Sequence, residues 1–156
     1  MENQDRTNSF FRFEDLRVYG KATDYAAWLC TALREGGNEM ERRLIDLFCQ
    51  SALNIGLVIA EGSSRNKAQF QSHLKNAKTS IRECVAFTEI AHKVGALTVE
   101  SRNRSRELLM ELTRMIGALI ISLQRTSPKP YAGTTDDFDD TLPDSEDPLD
   151  AIETNF

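Results

Sequence analysis

Two histidines, three cysteines and a surplus of carboxylates are the groups in this 156-residue chain that could carry chemistry. Glu89-Ile90-Ala91-His92 has the Glu-x-x-His spacing that puts both side chains on one helix face. Two such pairs and two further glutamates hold paired irons in some four-helix bundles. Here the second pair is missing, because Phe70 stands three residues before His73. No metal or other cofactor is therefore expected, and His92 reads as a helix-end residue ahead of a stop at Gly95. Cys30, Cys49 and Cys84 fall in three separate stretches at apolar or flanking positions, where a free thiol behaves as a small hydrophobe. The sequence has no glycine-rich phosphate loop and no arguable Ser/His/Asp set, so no enzyme is expected.

The cationic side chains are better organised. Arg65, Lys67, Lys75, Lys78 and Arg82 occur between residues 63 and 82 with no acid among them. On a helix Lys75, Lys78 and Arg82 fall within about 60° of one another, with Lys93 further along the same face. Arg102, Arg104 and Arg106 crowd the start of the next apolar stretch. Such a face can track phosphates; an ordinary solvated helix face is the competing reading. No aromatic platform interleaves these bases, so base stacking is not indicated. Binding of RNA or DNA through them should follow the backbone, weaken with salt and discriminate poorly between sequences.

These residues need helices to hold them. Gly36-Gly37, Gly62-Ser63-Ser64 and Gly95 divide the body into four proline-free stretches. The first, over about 14–34, places Val18, Ala22, Tyr25, Leu29 and Leu33 on one side. Trp28 at the edge of that stripe reads as packing. The second opens with a capping box at Asn38 and Glu41 and is expected to end at Gly62 in a left-handed stop. The third opens with Asn66 and Gln69. Phe70, Leu74, Ala77, Ile81, Cys84, Thr88 and Ala91 then follow in a seven-residue repeat. The fourth starts near Thr98, with Leu97 placed to staple it, and carries Leu108, Leu112, Met115, Leu119 and Leu123. No period-two alternation appears. The pattern predicts an all-α, antiparallel up-down-up-down four-helix bundle over residues 13–125, after an N-terminal extension at 1–12. No apolar run approaches the roughly 20 residues of a membrane span. No signal peptide opens the chain, and three cysteines suit a reducing cytoplasm.

The helices carry more apolar surface than one bundle needs. In the second, Leu44, Phe48, Ser51, Ile55 and Ile59 make a core stripe. Asp46, Gln50, Asn54 and Glu61 make a narrow polar strip that only Leu57 interrupts. Ile45, Cys49, Ala52, Leu53, Gly56 and Ala60 are left on a neighbouring face. Met110, Gly117 and Ile121 lie off the main stripe of the fourth helix, and Phe87, Ile90 and Val94 extend the third. Extra faces of this kind mark interfaces. They predict a homo-oligomer that packs through Ile45, Cys49, Leu53, Gly56, Ala60, Met110, Gly117 and Ile121; a bulky core covered in part by the tail is the competing reading.

The net charge of -5 conceals an asymmetry. Residues 126–156 hold nine acids, from Asp136 to Glu153, against the single base Lys129, a net of -8. Residues 1–125 hold 18 bases and 15 acids, a net of +3. Pro128 and Pro130 end the helical pattern, and the composition beyond them predicts a disordered acidic tail. It reads as a solubilising segment, as a short protein-interaction motif at Leu149-Asp150-Ala151-Ile152 or Phe156, or as an autoinhibitory strand over the basic body.

Phe13-Glu14-Asp15-Leu16-Arg17-Val18-Tyr19-Gly20-Lys21-Ala22 resembles the opening of the four-helix bundle proteins encoded in intervening sequences of bacterial 23S ribosomal RNA genes. Ile59-Ala60-Glu61-Gly62 followed by Arg65 resembles that family's hallmark at the end of its second helix. Phe70, Leu74, Ala77, Ser80 and Glu83 are similar to its third-helix pattern. Gly56, Leu57 and Val58 stand where the family often has Pro, Ser and Asn, and the acidic tail is an addition. The resemblance implies a cytoplasmic bundle, commonly a homopentamer, distantly related to nucleic-acid-binding accessory proteins of diversity-generating retroelements, with no known catalytic activity. Together these features predict a non-enzymatic homo-oligomeric scaffold that associates with nucleic acid, RNA preferred. A protein-interaction adaptor acting through the oligomer surface or the tail is the alternative. Glu61 and Arg65 flank the turn between the second and third helices and are expected to pair there, contact with a partner at the oligomer's edge being the alternative.

Overall fold

The computed structural model describes residues 10–34 and 36–126. A single 3-10 turn, Arg12–Asp15, leads into α1 (Arg17–Ala32), followed by α2 (Glu39–Ser63), α3 (Lys67–Lys93) and α4 (Val99–Arg125). No strand occurs among the described residues. The first helix starts a few residues later than its pattern suggests. Leu16 is extended at its N-cap, and its amide is bonded to the Phe13 carbonyl at 3.1 Å. Phe13 packs edge-on against Tyr19, with ring centroids 4.9 Å apart.

The other starts follow the capping rules. Asn38 accepts from the Glu41 amide, Asn66 from that of Gln69, and Thr98 from that of Ser101. Each bond satisfies a donor that has no partner inside its helix. Gly95, at φ +80°, ends α3 in the left-handed conformation that glycine alone adopts cheaply. His92 Nδ1 lies 3.2 Å from the Leu97 carbonyl oxygen, and Leu97 is buried where the chain re-enters the core.

Neighbours in sequence pack side by side, and α4 closes the ring against α1. All four pairings run in opposite directions. Asn54 meets Ser80 while Gly62 meets His73 (α2 on α3). Thr88 meets Ser105 while Lys67 meets Thr126 (α3 on α4). Tyr25 meets Ser105 while Lys21 meets Glu111 (α1 on α4). Gly56 rests on Tyr19 and Ala22, and Cys30 faces Cys49 (α1 on α2). The fold is thus an antiparallel four-helix bundle. Tyr25 and Leu29 of α1, Phe48, Ile55 and Ile59 of α2, Leu74 and Ile81 of α3, and Leu109, Leu112 and Ile116 of α4 fill its centre.

Three local expectations change. The core line of α4 runs through Ser105, Leu109, Leu112 and Ile116, whereas Leu108, Met115, Leu119 and Leu123 are only half-buried. Apolar residues cover both sides of that line, so hydrophobicity alone does not fix its phase. Gly62 lies inside α2 without a positive φ. It is required because any Cβ there would collide with His73 and Phe70 of α3. Finally, α2 has the length and composition of a membrane-crossing helix, although no unbroken apolar run marked it. Its apolar surface divides between α1 and α3, with Leu47, Leu53 and Leu57 exposed. The acidic segment predicted beyond the bundle, like residues 1–9, lies outside the described residues.

Candidate nucleic-acid face and apolar faces

The α3 register decides where the bases stand. The buried line of α3 runs through Phe70, Leu74, Ala77, Ile81, Cys84 and Thr88. At 100° per residue, Lys67, Lys75, Lys78 and Arg82 fall on the flank that turns toward α4. The contacts agree: Lys67 Nζ donates to the Thr126 carbonyl at 3.0 Å, and Glu89, on the same flank, is bonded from α4. Arg65, Lys75, Arg82 and Lys93 are exposed and Lys78 is half-buried. None of these five makes an ion pair among the described residues.

The arginines of α4 are held differently. Arg102 donates from Nε and Nη2 to Glu89 Oε2 at 3.2 and 3.1 Å. Arg106 Nη1 lies 2.7 Å from Glu89 Oε1. The hydrogen bond from Arg102, with that from Arg106 and the charge of both, holds the Glu89 carboxyl below its ordinary range. Two cations on one anion leave a positive surplus there. Arg104 pairs with Glu107 at 3.5 Å on its own helix and does not join the group. The structure thus brings Lys67, Lys75, Lys78, Arg82, Arg102 and Arg106 to the α3–α4 seam, and sets Arg104 apart. The Glu89 carboxylate is bound by the two arginines, and His92 Nδ1 faces the Leu97 carbonyl. The expected Glu61–Arg65 pair does not form among the described residues. Both side chains are exposed, and the turn closes instead through the Arg65 amide and the Gly62 carbonyl at 3.0 Å.

A buried polar chain underlies the upper part of the seam. Tyr25 Oη and Ser105 Oγ are 2.9 Å apart, Ser105 Oγ and Thr88 Oγ1 are 2.8 Å apart, and Thr88 donates to the Cys84 carbonyl at 2.7 Å. All three hydroxyls belong to fully buried residues. Burial keeps the Tyr25 phenol protonated far beyond its usual range and pushes the Cys84 thiol up to about 12. Tyr25 on the apolar stripe of α1 and Thr88 in the apolar repeat of α3 were the sequence signals for this polar chain. Ser105 gave none.

The residues expected to bind another copy do not share one environment. Gly56 is buried inside the subunit, with Thr23, Ala22 and Tyr19 of α1 within 4 Å of where a Cβ would stand. Ala52 is buried beside it. Their small size lets side chains of α1 pack close, and Gly56 also lines the groove between α1 and α2. Ile45 and Cys49 are half-buried beside a groove of about 410 Å³ that Cys30, Arg34, Arg42 and Asp46 also line. Burial and the neighbouring Cys30 thiol push Cys49 up to about 11. Leu53 and Leu57 stand exposed on a mostly apolar groove of about 320 Å³ between α1 and α2. On α4, Met110 and Ile121 are exposed, whereas Gly117 is half-buried, as is Ala60 on α2. Val99, Met110 and Ile121 follow at eleven-residue intervals, which keeps them within about 40° on one face.

An all-helical four-helix bundle that gathers arginines and lysines along one seam, with apolar residues left on α2 and α4, is a recognisable class of small protein. Residues 14–118 match the family described as 23S rRNA-intervening sequence protein. The match covers most of the bundle, and the chain belongs to that family. No curated protein matches the chain.

Proposed function

We propose that the protein is a non-enzymatic homo-oligomeric scaffold that associates with nucleic acid, RNA in preference, in the cytoplasm. The observation that carries this reading is the α3–α4 seam. Lys75, Lys78 and Arg82 make no ion pair among the described residues, and further along the seam the Glu89 carboxylate is outnumbered by Arg102 and Arg106. Unpaired cations at helical spacing neutralise successive phosphates and release counterions, and this gives affinity without sequence discrimination. The preference for RNA rests on family membership alone. Free Cys30, Cys49 and Cys84 suit a reducing compartment.

Self-association would multiply the seam. Leu53 and Leu57 on α2 and Met110 and Ile121 on α4 are the apolar side chains that a second copy would cover. Light scattering at micromolar concentration should give a mass several times 17.6 kDa. A monomer would remove the multiplied charge and with it the scaffold. The nucleic-acid part is tested by fluorescence titration of a labelled 25-nucleotide RNA at increasing salt. Binding should weaken steeply as salt rises. Absence of any salt-dependent association with RNA or DNA rejects it, and capture of a defined protein instead would favour an adaptor.

A further inference from the structure

We infer that the acidic stretch Asp136, Asp137, Asp139 and Asp140 docks on the α3–α4 seam of its own chain and stands in for phosphate there. The inference rests on the reading of the seam as a phosphate-binding face. It adds the identity of the seam's occupant when no nucleic acid is present.

Position is the first argument. α4 ends at Arg125, and the carbonyl of Thr126, the last described residue, accepts a 3.0 Å bond from Lys67 Nζ. The remainder of the chain therefore departs at the N-terminal end of α3, beside the first base of the seam. Reach is the second. Lys75, Lys78 and Arg82 lie 8 to 15 residues along α3 from Lys67, about 12–22 Å at ~1.5 Å per residue. The four aspartates follow Thr126 by 10 to 14 residues. For a flexible tether of that length the root-mean-square span would be about 17–22 Å. Anchor, tether and target thus match in length, which places the aspartates near the bases at roughly millimolar effective concentration.

Charge is the third. Residues 127–156 carry -8, and the four aspartates lie within five residues of one another. The described cations of the seam are Lys67, Lys75, Lys78 and Arg82 of α3 with Arg102 and Arg106 of α4, and Glu89 is the anion among them. Pro128 and Pro130 lie between Thr126 and the four aspartates. A carboxylate row is a weaker ligand than a phosphate row of the same spacing, so the segment competes with nucleic acid without closing the seam permanently.

The test uses the full-length protein at low salt and has two arms. In the first, a zero-length carbodiimide joins lysines to carboxylates, and mass spectrometry locates the links. Mixed isotope-labelled and unlabelled chains separate links within a chain from links between copies. Links from 136–140 should concentrate on Lys67, Lys75 and Lys78 over Lys21 on α1, within one chain, and fade in 0.5 M salt. Links spread evenly over all four lysines overturn the inference, as do links found only between copies. In the second arm, a variant with Asp136→Asn, Asp137→Asn, Asp139→Asn and Asp140→Asn is titrated with the 25-nucleotide RNA. Its affinity should rise roughly two- to tenfold at low salt and approach that of the unaltered chain at high salt. Seam links combined with no RNA binding by either chain uphold the docking and reject the phosphate reading. Seam links combined with equal RNA affinity uphold the docking and place the RNA elsewhere.

Discussion

Glu89 holds two arginines that would otherwise face solvent, and both of its oxygens are engaged. Glu89→Gln removes that anion from the seam. RNA binding should tighten and its salt dependence steepen, by about one unit in the slope of log affinity against log salt for each released arginine that gains a phosphate. An unchanged slope would show that Arg102 and Arg106 lie off the binding path. The fold itself should lose less than about 1 kcal/mol, because the pairs are partly exposed. With its carboxyl held low in the folded chain, Glu89 stabilises the fold above its ordinary value. That contribution fades as the pH falls through the lowered value. Cys84 behaves in the opposite direction. Burial raises its thiol from 9.0 to about 12, so the fold gains nothing from it below pH 9 and loses stability as the pH climbs between those values. Urea midpoints measured from pH 7 to 11 should decline, and the decline should be smaller in Cys84→Ala once its own lower baseline is subtracted. Ser105→Ala removes the 2.9 Å partner of the Tyr25 hydroxyl inside the core and should cost about 1–3 kcal/mol by the same measurement. Hydrophobic periodicity could not announce Ser105, because its partners arrive from α1 and α3 and exist only after the helices have met.

Helix boundaries were readable because caps and stops are local chemistry. Asn38, Asn66 and Thr98 begin their helices through side chains that bond amides three residues on, and Gly95 ends α3 through its backbone freedom. Phase was less readable where a helix is apolar on two sides. α2 lies between α1 and α3, so Ala52 and Gly56 are buried on its α1 side, and α4 is turned to bring Ser105 to the centre. Glycine was visible at position 62, but its purpose required the neighbouring helix. Gly62→Ala should force α2 and α3 apart at their tightest approach and destabilise the bundle by about 1–3 kcal/mol. Gly117→Ala, which meets nothing within 4 Å, should stabilise α4 by up to about 1 kcal/mol if that face is free in the assembled protein. A loss of subunit association in Gly117→Ala, with the helix intact by circular dichroism, would instead locate a close contact between copies there.

Charge is segregated along the chain and around the bundle. The body carries +3 and six of its 18 bases meet along one seam, whereas α2 presents Asp46 and Glu61 on its polar side, and Glu83 of α3 is bonded to Ser51 of α2. A nucleic acid approaching this molecule meets an attractive flank and a repulsive one. The polarity of the seam was readable from the spacing of Lys75, Lys78 and Arg82. The part played by α4 was not, because the pairing of Arg102 and Arg106 with Glu89 depends on tertiary contact. The most direct measurement is the salt dependence of RNA affinity for the full-length chain beside the triple variant Lys75→Glu, Lys78→Glu, Arg82→Glu, with the mass of both assemblies checked by light scattering. The seam account predicts equal masses, steep salt-sensitive binding by the unaltered chain, and its loss in the variant. Equal affinity of the two chains for RNA, with equal masses, would contradict it.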